Sequence, residues 1–93
     1  MFVKIEPIDY RTGKAKCLVV RGISVQLGEK AIIDWSLMGE NRIDSRDYES
    51  GASVLSGTDY LQWGDDDNYV YTWLSSQLNV TIVSFETGNY WDS

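Results

Sequence analysis

The segment Gly57–Leu78, GTDYLQWGDDDNYVYTWLSSQL, contains the residues that decide how this chain folds. Thr58 is a good N-cap residue for one helical turn over Asp59–Gln62, because its hydroxyl can accept a backbone N–H. Gly64 can end that turn, since glycine adopts the left-handed conformation without strain. A run of aspartates then favours a new helix, because acidic side chains in a first turn interact well with the helix dipole.

This new helix is predicted to have Asp65 as its N-cap, with Asp66 and Asp67 in the first turn, and to end at Asn79. One stripe of the helix carries apolar side chains at helical spacing, so we expect that face to pack on a sheet. The predicted structural core combines this stripe with two further tryptophans: Trp35, Trp63, Val70, Trp73, Leu74 and Leu78.

Three β-strand patterns precede this segment. Phe2–Tyr10 alternates between apolar and polar residues and changes phase at Glu6–Pro7, which predicts an edge strand or a β-bulge. Lys16–Leu27 alternates in the same way and changes phase at Arg21–Gly22, which predicts a second bulge or bend. Ala31–Met38 follows a short glycine-containing turn, so these strands should form an antiparallel meander.

The remaining segments complete the predicted domain. Gly39–Gly51 is polar and has no period, so it is predicted to be a loop that crosses the sheet or reaches toward a partner. Ser53–Leu55 and Val80–Phe85 are predicted strands. We therefore expect a single α+β domain over residues 1–86 and a C-terminal tail over residues 87–93. The domain should be an antiparallel sheet, a β-meander of about four to five strands, with one α-helix packed on it.

The charge of the chain is unevenly distributed. Residues 1–46 have a net charge of +2, whereas residues 47–93 contain eight acids and no base, and the whole chain carries −6. The acidic half would be repelled by nucleic-acid phosphates and by anionic lipids, so we expect neither nucleic acid nor membrane as a partner. It would attract a basic protein surface or the less acidic half of another copy.

The composition argues against an enzyme and against a cofactor or metal site. The chain has no histidine, which removes the commonest general base and most transition-metal ligands. Its one cysteine, Cys17, excludes an internal disulfide and a cysteine-rich zinc site. The run Asp65–Asn68 lacks the alternating ligands and central glycine of a calcium loop. We therefore expect no catalytic, cofactor-binding or metal-binding residue.

Candidate contact residues lie in the polar loop and in the tail. An aromatic pair in a terminal tail either folds back on the domain or docks into a neighbouring molecule, and both alternatives stay open. The loop Gly39–Gly51 contains two main apolar residues, Ile43 and Tyr48, which are further candidates. The predicted interaction residues are Ile43, Tyr48, Tyr90 and Trp91.

Two segments of the chain carry a family resemblance: residues 17–41, CLVVRGISVQLGEKAIIDWSLMGEN, and residues 55–79, LSGTDYLQWGDDDNYVYTWLSSQLN. Both resemble small virion-associated proteins of tailed bacteriophages, of the marine and cyanobacterial phage type. The resemblance lies in a pattern of aromatic, glycine and aspartate residues at Leu55, Gly57, Tyr60, Trp63, Gly64, Asp66, Asp67, Tyr69, Trp73 and Leu78. It implies a structural component of a phage particle, present in many copies, whose partners are other virion proteins or copies of itself.

Two other functions are compatible with the sequence. A small acidic protein can mimic nucleic acid and inhibit a protein with a basic binding site, provided that its acids form a continuous exposed stripe. A sugar-binding module would need exposed tryptophans. The first residues lack the layout of a signal peptide, and no apolar run approaches the roughly 20 residues of a membrane span. We expect synthesis in the host cytoplasm and a final location in the virion.

Overall fold

The computed structural model describes residues 1–64 and 66–92 as an α+β domain with a five-stranded antiparallel sheet. Ser93, the last residue of the predicted tail, lies outside the described residues. The strands and helices are β1 (Phe2–Tyr10), β2 (Gly13–Gln26), β3 (Lys30–Met38), β4 (Asp47–Ser56), α1 (Gly57–Trp63), α2 (Asp67–Leu78), β5 (Ile82–Glu86) and a 3-10 turn (Tyr90–Asp92). No helix in the described part of the chain is long and apolar enough to span a membrane.

The sheet is a meander of β1 to β4, to which β5 is added beside β1, in the order β4-β3-β2-β1-β5. β1 is therefore an inner strand and not an edge strand. The predicted alternative, a β-bulge, explains its change of phase at Glu6–Pro7. The pairing of β1 with β2 shifts register between Lys4 and Ile8. The bulge turns Ile8 toward the same core as Val3 and Ile5, which a regular strand would not do.

A second bulge lies in β2, at the predicted position. The pairing of β2 with β3 shifts register between Val20 and Gly22. Beyond it, Ile23 pairs with Ile33 and therefore remains on the core-facing side of the sheet. Both changes of phase in the sequence thus keep apolar side chains on one face of a long strand.

The prediction of a loop over Gly39–Gly51 is wrong for the second half of this segment. The loop ends at residue 46, and β4 begins at Asp47 and pairs with β3 along its length. The strand lacks an apolar period because it lies at the edge of the sheet and carries small residues there. At Gly51 the indole of Trp35 takes the space of a side chain, since a Cβ would come within 2.9 Å of its Cζ2 atom.

The sheet carries two helices, whereas one helix packed on the sheet was predicted. The single turn expected from Thr58 is the seven-residue helix α1, and its N-cap is Ser56. It is longer than predicted at both ends: Gly57 and Thr58 lie within the helix, so the predicted N-cap Thr58 is wrong, and Trp63 adds a residue at the other end and buries its indole in the core. Gly64 ends the helix in the left-handed conformation, with φ 54° and ψ 30°, as predicted.

Helix α2 begins at Asp67, and its N-cap is Asp66. The Asp66 carboxylate accepts the backbone N–H of Asn68 at 3.0 Å. The predicted cap, Asp65, lies outside the described residues. Asn79 ends α2 in the left-handed conformation, with φ 57° and ψ 44°, which confirms the predicted stop.

The two faces of the sheet carry two separate apolar clusters. The larger cluster lies between the sheet and the helices and includes the buried residues Val70, Tyr71 and Leu74 of α2. The smaller one lies on the opposite face and consists of Phe2, Cys17, Val19, Met38 and Tyr90. The C-terminal tail therefore folds back across the sheet and covers the second face at one end.

Candidate interaction site

Tyr90 joins the tail to the loop between β3 and β4. Its side chain is 1% exposed, and its ring meets the Phe2 ring edge-on with centroids 5.5 Å apart. The hydroxyl lies 2.9 Å from the carbonyl oxygens of Gly39 and Asn41 and 3.3 Å from that of Asp44. The one hydroxyl proton can be donated to only one of these carbonyl groups at a time, and the three oxygens share this donor.

The loop also fixes its own conformation. The Asn41 side-chain oxygen accepts the backbone N–H groups of Ile43 at 3.0 Å and Asp44 at 3.1 Å. Gly39 donates its N–H to the carbonyl of Arg46 at 3.1 Å, and a Cβ at Gly39 would clash with the carbonyl oxygen of Asp44. The Ile43 side chain is 87% exposed on this turn. The loop therefore presents an apolar side chain to solvent from a fixed backbone.

The far end of the loop is held against the turn between β1 and β2. The Arg46 guanidinium donates to the carbonyl of Thr12 at 2.8 Å and lies 5.9 Å from the centre of the Tyr48 ring. Tyr48 stacks on Tyr10 with centroids 5.3 Å apart, and it is half-buried. The main role of Tyr48 is therefore packing at the border of the site, and it is less available for contact with a partner.

The four predicted contact residues take three different positions. Ile43 and Trp91 are exposed, by 87% and 47%, and Tyr48 is half-buried. Tyr90 is buried, so the structure places it in the packing of the tail and not at the surface. The physical reason is that its ring fills the second apolar cluster while its hydroxyl reaches the loop. We call the exposed parts of residues 41–46 and 89–92 the loop–tail surface.

Trp91 is presented on this surface by contacts within the tail. Its ring meets the buried Tyr90 ring edge-on, with centroids 5.2 Å apart. Its backbone N–H donates to the side-chain oxygen of Asn89 at 2.9 Å. The two residues of the aromatic pair take different positions. Tyr90 folds back on the domain, whereas Trp91 is exposed, as docking into a neighbouring molecule requires.

The predicted core residues are distributed between the centre and the margin of the larger cluster. Trp35, Trp63, Val70 and Leu74 are buried, whereas Trp73 and Leu78 are half-buried at its margin. The prediction missed Tyr71, whose hydroxyl donates to the carbonyl of Met1 at 2.8 Å and accepts the N–H of Val20 at 3.0 Å. Residues 71, 74 and 78 also have helical spacing, so the pattern contained the signal for Tyr71.

Burial around the tail changes the acidity of two groups. Burial raises the pKa of the Cys17 thiol to about 11, and the Sγ atom lies 3.5 Å from the carbonyl oxygen of Glu40. Burial, with the nearby charges of Cys17 and Asp44, raises the pKa of Tyr90 to about 12. Both groups therefore stay protonated at neutral pH, and Cys17 is expected to be a poor nucleophile.

These shifts predict a loss of stability at alkaline pH. In the unfolded chain a thiol ionises near about pH 8.5 and a phenol near about pH 10, so the unfolded state releases protons before the folded state does. The contribution of these two groups to the free energy of unfolding should therefore be constant below about pH 8 and fall as the pH rises toward about 12. Urea unfolding at a series of pH values measures this. In Cys17→Ala the fall should begin closer to about pH 10, and an unchanged onset would contradict the role of the thiol.

The described residues offer one notable cleft beside the tail and no metal centre. The cleft has a volume of about 380 Å³ and is lined by Met1, Val19, Val20, Arg21, Asn89, Tyr90 and Trp91. The Arg21 guanidinium is paired with Asp47 at 3.5 Å. Within residues 1–64 and 66–92, no three histidine, cysteine, aspartate or glutamate side chains are grouped so that they could hold a metal ion.

Comparison with known proteins adds no relative to these observations. No protein-family model matches the chain, and no curated protein or solved structure gives a significant match. The phage resemblance of the sequence therefore stays a prediction.

Proposed function

We propose that this protein is a non-enzymatic structural component of a bacteriophage particle that acts through protein–protein contacts. The observation that carries the proposal is the loop–tail surface. It holds Ile43, 87% exposed, on a turn fixed by Asn41 and by the buried hydroxyl of Tyr90. An apolar side chain on a rigid backbone binds a partner without the entropy cost of ordering a loop. This arrangement suits a protein–protein contact better than catalysis.

The surroundings of Ile43 suit a protein partner. Trp91 presents a large, half-exposed ring on the tail that Tyr90 holds against the same loop. Tryptophan with nearby arginine is the composition of energetic centres in protein interfaces, and Arg42 is exposed beside Ile43. The partner would be another virion protein or a further copy of this chain, and the proposal places no nucleic acid or membrane at this surface.

The proposal is tested by particle incorporation. The chain should appear in the mass-spectrometric protein list of purified particles of the phage that encodes it, after synthesis in the host cytoplasm. Ile43→Asp, supplied during infection, should lower the amount of chain per particle by about tenfold or more, because a charge would be buried at the contact. Leu61→Asp is the matched control, since Leu61 is 78% exposed on α1, away from this surface.

Three outcomes would contradict the proposal. Absence of the chain from purified particles would exclude a virion component, and recovery with a nucleic-acid enzyme in a pull-down would support the acidic inhibitor instead. Equal incorporation of Ile43→Asp and the unchanged chain would exclude the loop–tail surface as the contact.

A further inference from the structure

The outer edge of the sheet at β4 is open along ten residues. β4 is the last strand in the order β4-β3-β2-β1-β5, so every second N–H and C=O of the strand points away from β3. Proteins usually protect such an edge with lysine, proline or a very short strand. The sequence of β4, DYESGASVLS, contains no lysine, arginine or proline, and residues 49–52 are exposed.

The other edge of the same sheet is different. β5 has five residues, and its pairing with β1 is irregular between Lys4 and Ile5. A short strand with a bulge offers a poor template for a further strand. Of the two terminal strands, β4 is therefore the one able to form a regular ladder with another chain.

The charges of β4 select both the partner and its direction. Asp47 and Glu49 lie in the first three positions of the strand, and residues 50–56 carry no charge. A second β4 in parallel register would place acid against acid, which is unfavourable. An antiparallel second β4, centred on Gly51 or Ala52, places the acids of each copy opposite the uncharged end of the other. Two copies of the strand can therefore pair without placing acid against acid only in antiparallel orientation.

The side chains near this centre allow a close approach. On the core side, Gly51 has no side chain, and the Trp35 indole covers it. On the opposite face Ala52 pairs with Asp34 of β3, and both are exposed. A two-fold axis perpendicular to the sheet would keep each residue on its own face, so both cores would stay on the same side.

We propose that two copies of this chain pair through β4 in antiparallel orientation and form one continuous sheet across a two-fold axis. The unpaired backbone groups of the edge supply the hydrogen bonds, and the position of Asp47 and Glu49 sets the direction. This pairing does not depend on a role in a phage particle, and it uses a surface different from the loop–tail surface.

Sedimentation equilibrium tests the pairing with the protein alone. The chain should change from 10.6 kDa to about twice that mass as its concentration rises toward about 1 mM. Ala52→Lys puts two like charges close to the two-fold axis and should raise the dissociation constant by about tenfold or more. Gln77→Lys is the control, because Gln77 is exposed on α2 and the substitution adds the same charge away from the sheet.

Cross-linking tests the position of the axis. In Ala52→Cys, mild oxidation with glutathione disulfide should link two copies through residue 52, whereas Gln77→Cys, on the exposed side of α2, should not link. Combining Ser50→Cys with Ala52→Cys covers the register centred on Gly51, in which residues 50 and 52 of different copies are opposite. The native Cys17 is buried and serves as an internal control in every variant.

Thermal unfolding of each variant shows whether the fold is intact, because residues 52 and 77 are exposed and lie away from the buried core. A chain that stays at the monomer mass up to about 1 mM, or dimers that Ala52→Lys does not weaken, would overturn the proposal. Cross-linking of Gln77→Cys as fast as Ala52→Cys would also overturn it.

Discussion

Leu74→Ala is expected to lower the free energy of unfolding by about 2–5 kcal/mol. Leu74 is fully buried in α2, and its side chain lies in the larger cluster between helix and sheet. The substitution removes apolar contacts and leaves a cavity that the surrounding strands fill only in part. Since small domains are stable by about 5–15 kcal/mol in total, a large share of the stability depends on this one side chain.

Leu61→Ala provides the matched control for Leu74→Ala. Leu61 lies on α1 and is 78% exposed, so the same change of side chain removes little buried area. Its effect on urea unfolding should stay below about 0.5 kcal/mol. If both variants lost similar stability, the assignment of α2 as the helix that covers the core would be wrong.

Tyr90→Ala is expected to cost about 3–5 kcal/mol and to loosen the loop between β3 and β4. The ring is 1% exposed against Phe2, and the hydroxyl contacts carbonyl oxygens of Gly39 and Asn41. Removing it deprives the loop of this hydrogen bond and exposes the smaller cluster. Hydrogen exchange should show faster exchange over residues 39–46, while residues of α2 keep their protection.

Two further variants separate the ring of Tyr90 from its hydroxyl. Tyr90→Phe keeps the ring and should cost about 1–3 kcal/mol, with faster exchange in the loop. Trp91→Ala removes the exposed neighbour, 47% accessible, and should change the stability by less than about 1 kcal/mol. Normal protection of residues 39–46 in Tyr90→Phe would show that the hydroxyl does not hold the loop.

The parts of the fold that the sequence predicted are those with a regular apolar period. The strands around the two bulges and the helix containing Val70 and Leu74 have such a period, because one face of each contacts the core. Only Ser53–Leu55 of β4 was predicted as a strand, because small residues and the overlying Trp35 replace apolar alternation in the first half of β4. α1 was predicted too short because its N-cap was expected at Thr58, whereas the helix begins at Gly57, and because Trp63 extends its other end.

The candidate site depends on contacts between residues distant in sequence, and such contacts leave no local pattern. Tyr90 and Gly39 are 51 positions apart, and nothing around Tyr90 distinguishes a buried tyrosine from an exposed one. The sequence did indicate that the loop and the tail are unusual segments. It did not indicate that they are one unit, because the pairing depends on how the chain returns across the sheet.

The contact between Tyr90 and the loop makes the two segments thermodynamically linked. While the tail lies on the sheet, Tyr90 adds to the hydrogen bonds within the loop and helps to hold the carbonyl groups of Gly39 and Asn41. A ligand that binds the ordered loop must therefore also favour the bound tail, by the same factor by which the bound tail favours that ligand. A molecule that captured Trp91 and drew the tail away would weaken binding at Ile43 in equal measure. The last residues of the chain thereby act as an effector of a loop that lies near its middle.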